Sequence, residues 1–182
     1  MVRTESGVWV SGGKTASFEY SDGDAAEENL RSILTTATNL SSLSLELEDK
    51  YNEWASEYHL SPFRANLLRY LDLTRKNTAL ELGCGCGALT RYLGEQGLTV
   101  DAIEGSQRRA NLARIRCQEL SNVDVVVSNF FDLSLPTNHY DVIFFVGALE
   151  YAGRFSPVDQ SAEASVIQLL EKVRPCLTPH GI

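Results

Sequence analysis

Strand-length apolar runs alternating with helix-period segments predict a doubly wound α/β fold: a Rossmann-like parallel sheet with helices on both faces. Three observations carry that prediction. Apolar runs stand at Thr78-Ala79-Leu80, 98–104, 123–128 and 140–146, each of strand length. Helix-period segments at 88–96, 107–120 and 159–176 follow them, and strands separated by helices pair in parallel through right-handed crossovers. A glycine-rich turn directly follows the first run, which makes that strand central and places the ligand crevice at the carboxyl ends of the strands.

The elements before this core form an N-terminal segment and helical extension over 1–77, expected to cover the core at 78–182 as a lid. Residues 1–23 are rich in Gly, Ser and Thr without periodicity and read as a loosely packed or edge segment. Ser11-Gly12-Gly13-Lys14-Thr15 has the tail of a phosphate-binding loop, but the required first glycine falls on Val8, so no such loop is expected. Apolar residues recur at helical spacing from Asp24 to Leu34 and from Leu43 to Tyr58, the second stripe being Leu43, Leu47, Tyr51, Trp54 and Tyr58. Ser61-Pro62 announces a third helix, a capping residue followed by proline at the first helical position, running through Leu67, Leu68 and Leu71 to near Lys76-Asn77. At the other end, Thr178-Pro179-His180-Gly181-Ile182 reads as a turn and the first residue of a further strand.

Among 182 residues the formal net charge is -8 and no basic run occurs, which argues against nucleic acid as the main partner. No apolar stretch has membrane-spanning length, and Met1–Gly7 leads into no signal-like apolar region, so a cytoplasmic protein without a membrane span is expected. Cys84, Cys86, Cys117 and Cys176 lack zinc spacing and read as small packing residues, and His59, His139 and His180 are dispersed. No metal is expected.

The chemistry concentrates in Glu81-Leu82-Gly83-Cys84-Gly85-Cys86-Gly87, a carboxylate and three alternate glycines at a strand end. Glycine there lets the backbone turn sharply and approach a ligand, and a Cβ on any of the three is expected to stand in the ligand's way. Gly83, Gly85 and Ala88 also fit a dinucleotide fingerprint, with Glu104 about 20 residues further on. The glycines alone leave both readings open. Glu81 separates them, because a carboxylate at the strand end attracts a charged amino group and repels a pyrophosphate. Glu104 closes the strand Val100–Glu104 and is placed to accept two ribose hydroxyls. Arg108 and Arg109 suit a 2′-phosphate in a dinucleotide enzyme, but with Arg114 and Arg116 they read as a solvated basic helix face.

On these residues the chain resembles the class I S-adenosylmethionine (SAM)-dependent methyltransferases, whose first motif is an acidic residue followed by Gly-x-Gly-x-Gly. The resemblance implies SAM as cofactor, held by Glu81, Gly83, Gly85, Gly87 and Glu104, on a sheet that in the family has seven strands, so that with four visible here the sheet is expected to be truncated at its C-terminal side. It places Asn129 and Phe130 at the adenine, where the family commonly has Gly-Asp-Ala, with Asp132 as the rival, and Gly147 beside the methionine moiety. Methyl transfer is an in-line displacement in which the protein aligns the acceptor and, for a hydroxyl, removes a proton. Glu150, Tyr151 and His59 are the candidates for that work. The run Trp54–Arg69, with Glu104-Gly105-Ser106 and Arg109-Ala110, also resembles a bacterial methyltransferase subgroup often joined to glycosyltransferase modules in surface-polysaccharide synthesis. That implies O-methylation of a sugar or other small or polymeric acceptor, a fused or associated glycosyltransferase, and Tyr51, Tyr58 and His59 as lid residues. The alternatives are an NAD(P)-dependent oxidoreductase and a non-catalytic SAM-binding scaffold module of a glycan-assembly protein.

Overall fold

The computed structural model describes residues 1–10 and 21–182. The segment Ser11–Thr15 therefore lies outside the described residues. Among the described residues six strands form one sheet: β1 (Val2–Arg3), β2 (Trp9–Val10), β3 (Thr78–Leu82), β4 (Thr99–Glu104), β5 (Val123–Val127) and β6 (Val142–Phe144), in the order β1-β2-β5-β4-β3-β6. Every pairing is parallel except β1 with β2. The fold is the α/β Rossmann-like sheet expected, with β3 inside it.

Two of the strands are additions to the four expected. β1 and β2 form an antiparallel hairpin whose second strand joins the outer edge of β5, with Trp9 opposite Val126. The Trp9 indole N–H donates to Asp124 Oδ1 at 2.8 Å, and Val8 is fully buried in the main core. Two-residue strands are too short to show a period, which is why sequence pattern does not reveal them.

Period-two alternation sorts the strands onto two cores. Ala79, Val100, Ala102, Val123 and Val125 face one side, against Leu89 and Leu93 of α4 (Ala88–Glu95) and Ala110 and Ala113 of α5 (Gln107–Arg116). Leu80, Leu82, Ile103 and Val126 face the other, with Leu169 and Val173 of α7 (Ala162–Val173). A short α6 (Ala152–Phe155) precedes α7. On the free side of β6, the Ile143 N–H donates to Ile182 O at 2.8 Å and the Ile182 N–H to Asp141 O at 3.0 Å. Ile182 thus lies alongside β6 in parallel register.

A third apolar cluster lies under the N-terminal helices: Leu30, Ile33 and Leu34 of α1 (Asp24–Thr36) pack with Leu47, Leu60, Cys86 and Leu112. The single helix expected over Leu43–Tyr58 is two, α2 (Leu45–Glu48) and α3 (Trp54–Leu60). The break has a local cause. The Glu53 side chain accepts from the Ser56 N–H while Ser56 Oγ accepts from the Glu53 N–H, a reciprocal cap that starts a new helix. Asn29 Nδ2 pins the junction, donating to Asn52 Oδ1 and Glu53 Oε1 at 2.8 Å each. The third expected helix is a 3-10 turn, Pro62–Leu67, capped by Ser61 Oγ, which accepts from the Phe63 N–H at 3.2 Å, and anchored in the main core by buried Ala65 and Leu68.

The solvated basic face expected on α5 is corrected. Arg109, Arg114 and Arg116 are buried, and only Arg108 is well exposed. Each buried guanidinium finds acceptors, Arg114 between the end of α5 and the start of β5 and the other two in the N-terminal extension. Arg114 donates to Val123 O at 2.7 Å and also to Cys117 O. Arg116 donates to His59 O at 2.5 Å and Leu60 O at 3.5 Å, and Arg109 pairs with Asp22 at 2.6 Å. Buried charge is tolerated where it is paired and hydrogen-bonded, and here it fastens α1 and α3 to the core.

Candidate cofactor site

A cavity of about 320 Å³ opens at the carboxyl ends of β3 and β4 and the turns after β5 and β6, roofed by α3 and the 3-10 turn. Its size is that of small-molecule sites. Two buried carboxylates form the floor. Glu81, 2 % exposed, closes β3 and accepts from Thr90 Oγ1 at 2.6 Å. Burial pushes its pKa up to about 7, with the Glu104 charge adding to the rise and Thr90 opposing it. Glu104, at the end of β4, accepts from the Gly85 N–H through Oε2 and from the Ser106 N–H through Oε1, both at 2.8 Å. Burial also raises its pKa, against the pull of those N–H groups. A carboxylate has about four lone-pair sites, so these N–H groups leave it acceptor capacity for a ligand's hydroxyl.

The three glycines divide. All have positive φ: +87° at Gly83, +55° at Gly85 and +81° at Gly87. A Cβ on Gly83 falls 2.4 Å from Ala148 Cβ, and one on Gly87 falls 2.8 Å from the Ala113 backbone. Those two glycines let the loop pack on its neighbours. At Gly85 a Cβ meets nothing within 4 Å, although the residue lines the cavity. A Cβ therefore meets protein first at Gly83 and Gly87, and only at Gly85 does it project into open space.

Of the other expected site residues, Phe130, Gly147, Tyr151 and His59 line the cavity with Glu81, Gly83, Gly85 and Glu104. Gly87, Asn129 and Glu150 are not among its lining residues. The Asn129 side chain is committed locally, its Oδ1 accepting from the Phe131 N–H at 3.1 Å and its Nδ2 donating to Phe155 O at 2.9 Å. Glu150 is exposed on the turn after β6. Tyr51 packs with the cluster under α1, while Tyr58 lines the cavity.

His59 Nε2 lies 2.7 Å from Asp22 Oδ2, and burial lowers the imidazole pKa in spite of that carboxylate. Asp22 and Arg64 also line the cavity, and neither was singled out from the sequence. Asp22 stands in an aperiodic stretch. Arg64 looks like any polar residue of an exposed helix until the chain is folded. Cys84 and Cys86 line it as well, with burial pushing both thiols well above their ordinary range, so they serve as small, unreactive walls. Among the described residues no cluster of His, Cys, Asp and Glu has the arrangement of a metal site.

A Rossmann-like sheet with a carboxylate, a glycine loop and a second carboxylate at adjacent strand ends defines a nucleotide-cofactor-binding class of protein. The methyltransferase domain family matches residues 80–182, and the chain belongs to that family, whose methyl donor is S-adenosyl-L-methionine. The demethylmenaquinone methyltransferases of two Tropheryma whipplei strains are each 32% identical over 87 residues, 48% of this chain and 36% of theirs. The chain thus spans about a third of the length of these curated relatives. The CcbJ methyltransferase of Streptomyces caelestis superposes with a TM-score of 0.56 at 25% identity, covering 79% of this chain and 56% of that one. Phosphoethanolamine N-methyltransferase 1 of Haemonchus contortus, solved with phosphoethanolamine and S-adenosylhomocysteine, gives 0.56 at 18% identity, over 85% of this chain and 30% of that one.

The residues present fit SAM: the two buried carboxylates have the chemistry to accept from an ammonium and from ribose hydroxyls, and a Cβ placed on Gly85 meets no protein atom within 4 Å. Among the described residues no helix is long and apolar enough to cross a membrane.

Proposed function

We propose that the chain catalyses methyl transfer from SAM to a hydroxyl oxygen of a small or polymeric acceptor, with residues 1–77 contributing a lid over a core at 78–182. When bound, SAM supplies an electrophilic methyl group on a sulfonium. The chain's own residues hold and align. Glu81 takes the ammonium, Glu104 the ribose hydroxyls, Phe130 lies against the adenine, and Gly85 and Gly147 leave room for the rest.

The observation that carries the oxygen-directed reading is the His59–Asp22 pair in the cavity wall, at 2.7 Å. With Nε2–H donated to Asp22, Nδ1 keeps the lone pair, and the depressed pKa keeps the imidazole neutral and able to accept the hydroxyl proton. Tyr151, also in the wall, is placed to contact the acceptor. A sugar acceptor, and a glycosyltransferase as fused or associated partner, rest on the resemblance of Trp54–Arg69 to the subgroup described above. A flat ring such as a demethylated quinone is the second reading, favoured by the indole of Trp54, 66% exposed at the cavity rim, and by the name of the curated relatives.

The test measures S-adenosylhomocysteine formation from SAM with nucleotide sugars, oligosaccharides and demethylated quinones as acceptors. His59→Ala is expected to lower kcat about 100-fold or more, the range for a general base, with S-adenosylhomocysteine affinity changed little. Unchanged turnover in that variant would remove His59 from proton transfer.

A further inference from the structure

Arg64 is the cation of this cavity without a carboxylate partner among the described residues. Arg109, also in the wall, pairs with Asp22 at 2.6 Å and with Glu27 at 3.4 Å. The Arg64 guanidinium instead lies 4.2 Å over the Tyr58 ring, and Tyr58 is stacked in turn on Trp54 at 5.0 Å. A ring face supports a guanidinium while leaving its in-plane N–H donors unspent. Position is fixed from behind: Arg64 precedes Ala65 and Leu68, both buried in the main core, on a turn capped by Ser61. Its charge is felt at Glu81 and at His59. The Tyr58 hydroxyl, on the same rim, is 3.7 Å from where a Cβ of Gly147 would stand.

An ammonium and a carboxylate on one carbon need an anion and a cation of the protein facing one point. Glu81 supplies the first. We propose that Arg64 supplies the second, holding the α-carboxylate of the cofactor's methionine moiety across from Glu81, with Tyr58 as the plate that orients it. This rests on the reading of the cavity as the SAM site. A guanidinium suits the task because its fork presents two parallel donors to a carboxylate. The arrangement also accounts for the placement of the helical extension over the strand ends, since α3 and the turn after it bring to the cofactor a charge that the core's own loops do not.

The test compares two ligands that differ in the amino-acid group, S-adenosylhomocysteine and 5′-methylthioadenosine, titrated calorimetrically against the parent chain, Arg64→Lys and Arg64→Ala. Parent protein is expected to prefer S-adenosylhomocysteine. In Arg64→Ala that affinity is expected to fall about tenfold or more, the scale of a charge-assisted hydrogen bond, while methylthioadenosine binds within about twofold of parent. Arg64→Lys should fall between, because an ammonium keeps the charge and loses the fork. Retained S-adenosylhomocysteine affinity in Arg64→Ala, or equal loss of both ligands, overturns the assignment of Arg64 and leaves the cavity's identity intact. Parent protein that binds neither ligand overturns the SAM site itself.

Discussion

Gly83, Gly85 and Gly87 share a left-handed backbone, yet what a side chain would meet differs at each: Ala148 at the first, open space at the second and the backbone of α5 at the third. The motif therefore mixes packing with binding, a distinction its spacing does not carry. Glu81 shows the opposite case, a residue whose chemistry changes on folding. Its carboxyl is pushed up to about 7 chiefly by burial, so the folded state favours the protonated form. That contribution to stability is fully present below the ordinary value of 4.5 and is lost as pH rises through about 7, a difference of about 3 kcal/mol. Glu81→Gln is expected to flatten the fall of melting temperature between those pH values in the ligand-free protein, and to gain most over parent above pH 7. A cofactor ammonium favours the carboxylate, so S-adenosylhomocysteine binding to the parent should release a proton near pH 7 and strengthen as pH rises. Parallel melting curves for the two proteins across that range would show that Glu81 is ionised throughout. Glu81, Glu104 and Gly85 were legible in the sequence because the strand ends that carry them are. Asp22 and Arg64 were not, because a cavity wall built from an N-terminal stretch and a turn 40 residues on has no local pattern.

The elements show where periodicity misleads. The stripe Leu43–Tyr58 continues in register across a break enforced by the Glu53–Ser56 cap and by Asn29, so apolar spacing reports the face that is buried and not the continuity of the helix. On α5 the arginines read from sequence as a wet face, because charge is usually exposed. They are buried because backbone carbonyls receive Arg114 and Arg116 and the carboxylates of Asp22 and Glu27 receive Arg109, information that lies in the tertiary fold. Arg116, 1 % exposed, donates to the last carbonyls of α3 at His59 and Leu60. Those are C-terminal carbonyls that the helix itself does not satisfy. Arg116→Met, close in volume but without donors, should cost about 1–3 kcal/mol, the range for leaving a buried acceptor unsatisfied. It should also raise amide exchange in α3 above that in β3 and β4. An unaltered melt with unaltered exchange in α3 would make the tether energetically idle.

At the scale of the whole molecule, the sheet order places β3 between β4 and β6, so Glu81, Glu104 and Gly147 come from three neighbouring strand ends although up to 66 residues separate them in sequence. That convergence followed from the alternation of strands and helices alone. The hairpin at Val2–Val10 did not, since it gains its place by pairing with β5 rather than by any pattern of its own. The same convergence distinguishes the candidate ligands. Two buried carboxylates and an open glycine suit an ammonium and a ribose, and they oppose a pyrophosphate. The most direct measurement is a calorimetric titration of the chain and its Gly85→Val variant with S-adenosylhomocysteine, NAD and NADP. The parent should bind S-adenosylhomocysteine and neither dinucleotide, and Gly85→Val should lose that binding while its circular dichroism spectrum stays that of the parent. Binding of NAD or NADP in preference to S-adenosylhomocysteine, or full affinity in Gly85→Val, would contradict the account.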